Sequence, residues 1–393
     1  MSTDEQLGRL LGAVAAAESD FLRDLEHLVN IDCGSYTKAG VDEVGRWVAD
    51  RLRELGAEVS VEANAELGDT VVGRLHGRLG GGRLLLIGHM DTVFDEGTVA
   101  ERPFSVRDGR AYGPGVTDMK SGLLAGLYAL RALREGGDRE WPFERLVLVA
   151  NPDEEIGSPV STRVIVREAR DVDVALVLEC ARANGDIVSA RKGVVDLVLR
   201  VAGRAAHAGV EPEKGRSAVH EAGHKIVALA ALNGRWPGVT VNVGAVRGGT
   251  RPNVVAESAD LEVDLRATTR AAMEEAEAAL RETCATATVA DVACSIEERA
   301  RHWPMEKTED TARLVEQAVA IAGRLAFDLH DAATGGASDA NTTAGLGVPT
   351  LDGLGPIGGM DHSPGEYLEL DSIVPRTTLL AALIAETGAA QRS

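Results

Sequence analysis

Three short apolar runs in this chain each end on acids or a histidine. "RLLLIGHMD" carries Leu84 to Ile87 into Gly88, His89 and Asp91, "RLVLVANPDEE" stops at Asp153, Glu154 and Glu155, and "VALVLEC" reaches Glu179. Apolar runs of this length, bounded by turn residues, predict strands buried on both faces. Between the first two lies "TDMKSGLLAGLYALRALRE", apolar at helical spacing from Leu123 to Leu133. Strands alternating with helices predict an α/β fold, a mainly parallel sheet flanked by helices. In open sheets of that kind, ligands bind beyond the carboxyl ends of the strands. The three polar clusters fall at those ends.

The pattern changes near Ala190. "GVVDLVLRVAG", "GVTVNVGAVRGG" and "ADLEVDLRAT" alternate apolar and polar residues, as strands with one wet face do, and helical segments separate them (about Arg216 to Leu232, then "TRAAMEEAEAALRETC"). Helical periodicity returns after Arg301 in "DTARLVEQAVAIAGRL", followed by a glycine-rich loop, "TGGASDANTTAGLG", and a last helix ending near Glu386. The expected organisation is a discontinuous α/β domain over residues 1–190 and 302–393, interrupted by an α+β insert over residues 191–301.

Composition excludes several classes of function. The net charge of −20 argues against a nucleic-acid partner and against docking on an anionic membrane. It fits a solvated acidic surface. No stretch approaches the roughly 18 apolar residues that a membrane span needs. The N-terminal "MSTDEQLGRLLGAVAAAESD" has no basic start and reads as an amphipathic helix, not a signal peptide. Cys33, Cys180, Cys284 and Cys294 show no CxxC spacing and are expected to be reduced thiols in a cytoplasmic protein. There is no Walker A run, no strand-placed GxGxxG and no GxSxG.

Taken singly, the strand-end residues have plain explanations. Asp118 could complement a helix dipole, His362 in "GMDHSPGE" could be a loop histidine, and Glu179 an exposed strand end. Taken together they suggest a metal centre. His89 could give one ring nitrogen to a metal while Asp91 holds or supports the other. Asp118, Glu155, Glu179 and a hydroxide would carry four negative charges. Two divalent cations, with His89 and His362 as neutral ligands, would balance them. Without cations, three converging carboxylates must take up protons or separate. Two histidines and three carboxylates suit zinc, with cobalt or manganese as substitutes.

"GHMDTV", "YGPGVTDMKSGL", "PDEEIGS", Leu178-Glu179 and "GMDHSPGE" together resemble the M20 family of metallopeptidases. Within it the likeness is to the glutamate carboxypeptidase (carboxypeptidase G2-like) group. The resemblance runs from about Leu84 to Glu386. It implies that His89 and Glu179 bind one metal, Glu155 and His362 the other, and Asp118 both, with a cis peptide after Asp118. It implies that Asp91 orients His89 and that Glu154 is the general base. Many relatives carry aspartate at the position of Glu179. The insert resembles the family's lid and dimerisation domain. There "GRAAHAGVEPEKGRSAV" places His207 in a motif where Ala206 replaces a common serine. In relatives this histidine reaches a partner subunit's active site and polarises the scissile carbonyl. Asn253 and Arg266 match residues that hold the substrate, Arg266 its α-carboxylate. An internal salt bridge is the plainer explanation for Arg266. Gly335 and Gly336, in "TGGASDA" with Ser338 where threonine is usual, match a pocket wall.

The function expected from this resemblance is that of a homodimeric di-zinc hydrolase acting on a small peptide and releasing a C-terminal glutamate or similar amino acid. An N-acyl-amino-acid deacylase of the same family is the alternative. A non-catalytic ligand-binding protein would predict a broken metal set, and every expected ligand is present. Asp153 has no assigned role at this level.

Overall fold

The computed structural model describes residues 3–136 and 140–390. Met1 and Ser2, at the head of the expected N-terminal helix, lie outside them. The chain forms two compact units. One comprises the residues up to Ser189, Lys307–Ala333 and those from Ser338 onward; the other comprises Ala190–Glu306 and Thr334–Ala337.

The first unit is built on a six-stranded sheet. Its spatial order is Glu58–Glu62, Thr70–His76, Arg145–Asn151, Arg83–His89, Val174–Val177 and Thr350–Leu351. The last four run parallel, and the first two are antiparallel at one edge. Side chains alternate between two covered faces. Leu84 and Leu86 join a core with Leu123, Leu127 and Leu130 of the helix Ser121–Gly136, and with Leu379 and Leu383 of Ile373–Ala389. Leu85, Ile87, Val147 and Val149 are fully buried on the other face, where the helix Thr162–Ala169 packs against both strands. Each fully buried leucine contributes roughly 1.5–3 kcal/mol. The N-terminal segment is two helices, Thr3–Ala16 and Glu18–Val29, not the single helix its periodicity suggested.

Register positions the site. His89 lies opposite Asn151, and Ile87 opposite Val177, so His89, the Asp153–Glu155 turn and Glu179 leave the sheet at one level. Gly122 permits the next approach. A Cβ there would sit 1.8 Å from the Leu178 carbonyl oxygen, so only glycine lets the helix that follows Asp118 press against the strand end before Glu179.

The second unit is an antiparallel four-stranded sheet, ordered Thr240–Gly248, Ser258–Ala267, Gly193–Ala202 and Ala293–His302. Val195, Leu197, Leu199 and Val201 line one face against the helices Ala218–Ala230 and Arg270–Ala285. The unit continues to Glu306, past the expected limit at 301, because Arg191 and Met305 bond to each other through their backbones. Beneath the first helix is a buried ion pair, Lys225 Nζ to Glu221 Oε1 at 3.0 Å. Burial pushes the Glu221 carboxyl up. The N–H groups of Val289 and Thr288 and the Lys225 ammonium outweigh that and leave it below its ordinary value. A depressed carboxyl stabilises the fold above its unfolded pKa, about 4.3 for glutamate, and that contribution is lost as pH falls through the folded value. Glu221→Gln is therefore expected to cost roughly 1.5–3 kcal/mol near neutrality. In urea unfolding curves the gap from the unsubstituted protein should close as the pH is lowered below about 4.3.

Candidate metal centre

Five side chains from distant parts of the first unit converge. His89 closes its strand, Asp118 lies in the turn before the helix Ser121–Gly136, and Glu155 lies in the turn Glu154–Ile156. Glu179 follows the strand Val174–Val177, and His362 sits in a loop at φ 58°. His89 Nε2 is 3.1 Å from Asp118 Oδ1 and 3.7 Å from Glu179 Oε1. His362 Nε2 is 3.1 Å from both Asp118 Oδ2 and Glu155 Oε2. The two oxygens of Asp118 thus face two different histidines. The result is two triads with a common member, His89–Asp118–Glu179 and Asp118–Glu155–His362. The peptide between Asp118 and Met119 is cis.

The donor set fits divalent cations. Ligands about 2.1 Å from a tetrahedral ion lie about 3.4 Å apart, close to the spacings in both triads. Glu155 Oε1 is buried with no hydrogen-bond partner, as a carboxylate oxygen reserved for a cation would be. The titration of the groups carries the same message. The carboxylates of Asp118 and Glu155 push His362 up to about 11. Burial pulls His89 down, yet Asp118, Asp91 and Glu179 raise it well above its ordinary value. Burial also raises Asp118, but the two imidazoles more than offset it and hold the carboxyl below its usual range. Burial raises Glu155, and burial followed by the charge of Glu179 raises Glu154 well above the usual range. Protons and cations compete for these groups, and a divalent cation would leave both imidazoles neutral and free to ligate.

The two triads are held by buried polar groups. Asp91 is 1% exposed. Its Oδ1 lies 3.3 Å from His89 Nδ1, and its two oxygens accept the N–H groups of Glu154 and Glu155 at 3.2 Å. Ser35 Oγ donates to it at 2.6 Å. Asp91 thus meets the His89 ring with its backbone carbonyl oxygen, 3.0 Å from Nδ1, as well as its carboxylate, and the carboxylate also fixes the glutamate turn. Asp153, unassigned from sequence, accepts the N–H groups of Val160 and Ser161 and shapes the loop behind that turn. Beneath it, Asp339 accepts from Asn151 and Ser158, each at 2.7 Å; burial raises its carboxyl to about 6. A cleft of about 260 Å³ opens beside Glu155, lined by Ser35, Tyr36, Thr92, Phe94 and Ile156.

Glu366 is the brace that sequence reasoning missed, although it ends the motif containing His362. It accepts N–H groups from Gly115, Thr117 and Asp118 at 2.9–3.0 Å, which ties down the loop that presents Asp118, the member common to both triads. Burial raises its carboxyl to about 7 against those three donors. Lys120, also buried, donates from Nζ to the carbonyls of Ile31 and Pro114 and anchors the same loop.

The other expected site residues belong to the second unit. Ala208 N–H donates to Asn253 O at 3.0 Å and His207 bridges to Val254, so His207 and Asn253 share one short pairing. His207 is exposed. Its Nδ1 accepts the Gly209 N–H at 3.2 Å, which in the neutral ring leaves the proton on Nε2. Arg266 holds Asp264 through Nε and Nη2, both at 3.0 Å, and donates from Nη1 to Gly335 O at 2.9 Å. Its guanidinium is thus engaged in an internal salt bridge. Gly336 O accepts from Arg191.

Residues 85–386 match the family model described as peptidase family M20/M25/M40. The chain belongs to this family. As an M20 protein it is a hydrolytic enzyme. It is 31% identical to carboxypeptidase G2 of Pseudomonas sp. (strain RS-16), with 97% of this chain and 92% of that protein covered. It is 30% identical to an acetylornithine deacetylase of Proteus mirabilis over 52% of this chain and 55% of that one. Among solved structures, an aminopeptidase from Bacillus cereus shares the fold with a TM-score of 0.79 at 24% identity, covering 94% of this chain and 98% of that one. An M20 family metallo-carboxypeptidase from Sulfolobus solfataricus does so with a TM-score of 0.73 at 16% identity, covering 94% and 99%.

Because Glu366 acts through the loop that carries Asp118, Glu366→Ala is expected to weaken divalent-metal affinity by about 10–100-fold. Metal-buffered titration of the folded protein measures this.

Proposed function

We propose that this M20 hydrolase cleaves an amide bond next to a carboxylate-bearing residue, acting as a carboxypeptidase that releases a C-terminal glutamate or a similar amino acid. One observation carries the reading: Asp118 is shared by two histidine–carboxylate triads, and Glu154 stands beside them outside both. The likeness to carboxypeptidase G2 over nearly the whole chain supports the substrate class. The deacetylase relative, matched over about half of the chain, supports a second reading, deacylation of N-acyl amino acids.

His89, Asp118 and Glu179 would hold one divalent ion, and Asp118, Glu155 and His362 the other, most suitably zinc, with cobalt or manganese able to substitute. Bound there, such ions supply Lewis-acid charge at the amide carbonyl and lower the pKa of a water towards neutrality. Glu154 takes the proton of the attacking water on its carboxylate and returns it to the departing nitrogen. A carboxylate placed beside that water can serve first as general base and then as general acid. Asp91 keeps Glu154 and Glu155 aimed apart by holding both their N–H groups. His207 of a second copy donates Nε2–H to the carbonyl oxygen, where negative charge develops. Asn253 and Arg266 receive the substrate's carboxylate, for which Asp264 competes. The cleft beside Glu155 has no basic side chain among its lining residues, so the assignment of the carboxylate rests on the second unit.

The proposed assembly is a homodimer through that unit, whose edge strands Thr240–Gly248 and Ala293–His302 are each paired on one side only among the described residues; an unpaired edge is a ready site for a second copy. The proposed location is the cytoplasm, consistent with four free cysteines. No helix among the described residues is long and apolar enough to cross a membrane.

Glu154→Gln is expected to keep its metal content while kcat falls by about 10²–10⁴-fold, and Glu155→Gln to lose metal. Elemental analysis beside single-turnover kinetics checks both, and metal loss in Glu154→Gln would reverse the assignment. Hybrid dimers of His207→Ala and Glu154→Gln subunits should recover part of the activity that each homodimer lacks. Verified heterodimers without recovery would remove His207 from the shared site. A panel of α-glutamyl, γ-glutamyl and N-acetyl amino acids separates the peptidase from the deacylase.

A further inference from the structure

Residues 220–224 read HEAGH and lie wholly within the helix Ala218–Ala230 of the second unit. Histidines four apart share a helix face. Here their Nε2 atoms are 3.1 Å apart with ring centroids at 4.7 Å, and both residues are exposed. His-Glu-x-x-His on a helix is the pattern in which two imidazoles hold zinc while the glutamate serves as base. In this helix the pattern is split between two faces. Glu221 is 0% exposed. It accepts the N–H groups of Thr288 and Val289 at 2.9 and 2.7 Å and pairs with Lys225. It shares the inward face with Ala218, Ala222 and Leu229. With 3.6 residues per turn, it points about 100° away from His220. The imidazoles face solvent, and the carboxylate is spent inside.

We propose that His220 and His224 bind one divalent transition-metal ion per chain at the surface of the second unit, with water completing the coordination. The site holds the ion without hydrolytic activity. Two ligand atoms about 2.1 Å from one ion lie about 3.0 Å apart at a right angle and about 3.4 Å apart at the tetrahedral angle. The observed 3.1 Å falls within that span. Imidazole pairs select zinc, nickel and copper over magnesium and calcium.

The scaffold is rigid at this point. Ser217 caps the helix by accepting the His220 N–H, and the Glu221–Lys225 pair and Leu229 lock its inner face. Binding therefore orders two side chains and no backbone. Hydrolysis is excluded by Glu221, whose carboxylate cannot reach a water on the outer face without breaking its bonds to the loop at Thr288. The site shares no residue with the two triads described above. The competing account of the 3.1 Å contact is a ring-to-ring hydrogen bond with no affinity for metal.

The test uses the full chain with its catalytic centre first loaded with zinc and free metal removed. Calorimetric titration with Ni²⁺ alone is compared for the unsubstituted protein, His220→Ala, His224→Ala and, as a control at an exposed histidine outside both sites, His330→Ala. Far-UV circular dichroism and elution volume confirm that each variant is folded. One additional Ni²⁺ per chain is expected. Its affinity should fall at least about tenfold in either single variant at 220 or 224, since even an outer-shell loss costs that much. It should be unchanged in His330→Ala. No additional site, a site insensitive to both substitutions, or one sensitive to only one of them would overturn the proposal.

Discussion

The structure of the site depends on one carboxylate with two neighbours of the same kind. Asp118 faces His89 with one oxygen and His362 with the other, each at 3.1 Å. Those histidines are 273 residues apart by their numbering. Crowding Asp118, Glu155 and Glu179 into one partly buried cleft is unfavourable unless positive charge is supplied. His89 and His362 are immediate partners of these acids. Imidazole can be a cation or a neutral ligand, so the same geometry accepts either protons or metal ions. That dual capacity separates a metal centre from a static salt-bridge network.

The rest of the first unit serves to hold that arrangement against its own repulsion. Parallel register brings three strand ends to one level, and Gly122 allows the helix after Asp118 to close on them. Two further buried carboxylates act as braces, with backbone N–H groups as their main partners. Asp91 holds the glutamate turn and Glu366 the loop of Asp118. Charge-assisted bonds from backbone to carboxylate are strong and directional, so the ligand positions are set by main chain more than by side-chain rotamers. The crowding at Asp153–Glu155 also resolves into three unlike jobs. Asp153 is buried loop architecture, Glu155 lies in one of the two triads, and Glu154, outside both, is the residue proposed to exchange a proton.

Much of this was legible in the sequence. The apolar run Leu84–Ile87 marked the strand Arg83–His89, and the periodic stretch Leu123–Leu133 marked the helix Ser121–Gly136. The five converging side chains were those expected from strand-end placement and from the motifs. What escaped were contacts with no local pattern. Glu366 meets the Asp118 loop across about 250 residues of sequence, and Ser35 meets Asp91 across 56. No periodicity encodes such pairs. The break between the first two helices escaped because Ala17 leaves no mark in composition. Arg266 was legible as a candidate, but its bidentate hold on Asp264 was visible only as an alternative. The His-Glu-x-x-His run at 220–224 shows the opposite failure, since its pattern is local while its chemistry depends on which face each residue takes.

The central claim is that Asp118 is shared by two metal sites. Anomalous diffraction from zinc-loaded crystals tests it most directly. Two peaks are predicted, one among His89, Asp118 and Glu179 and the other among Asp118, Glu155 and His362, with one Asp118 oxygen on each. A single peak, or two peaks of which only one contacts Asp118, would contradict it.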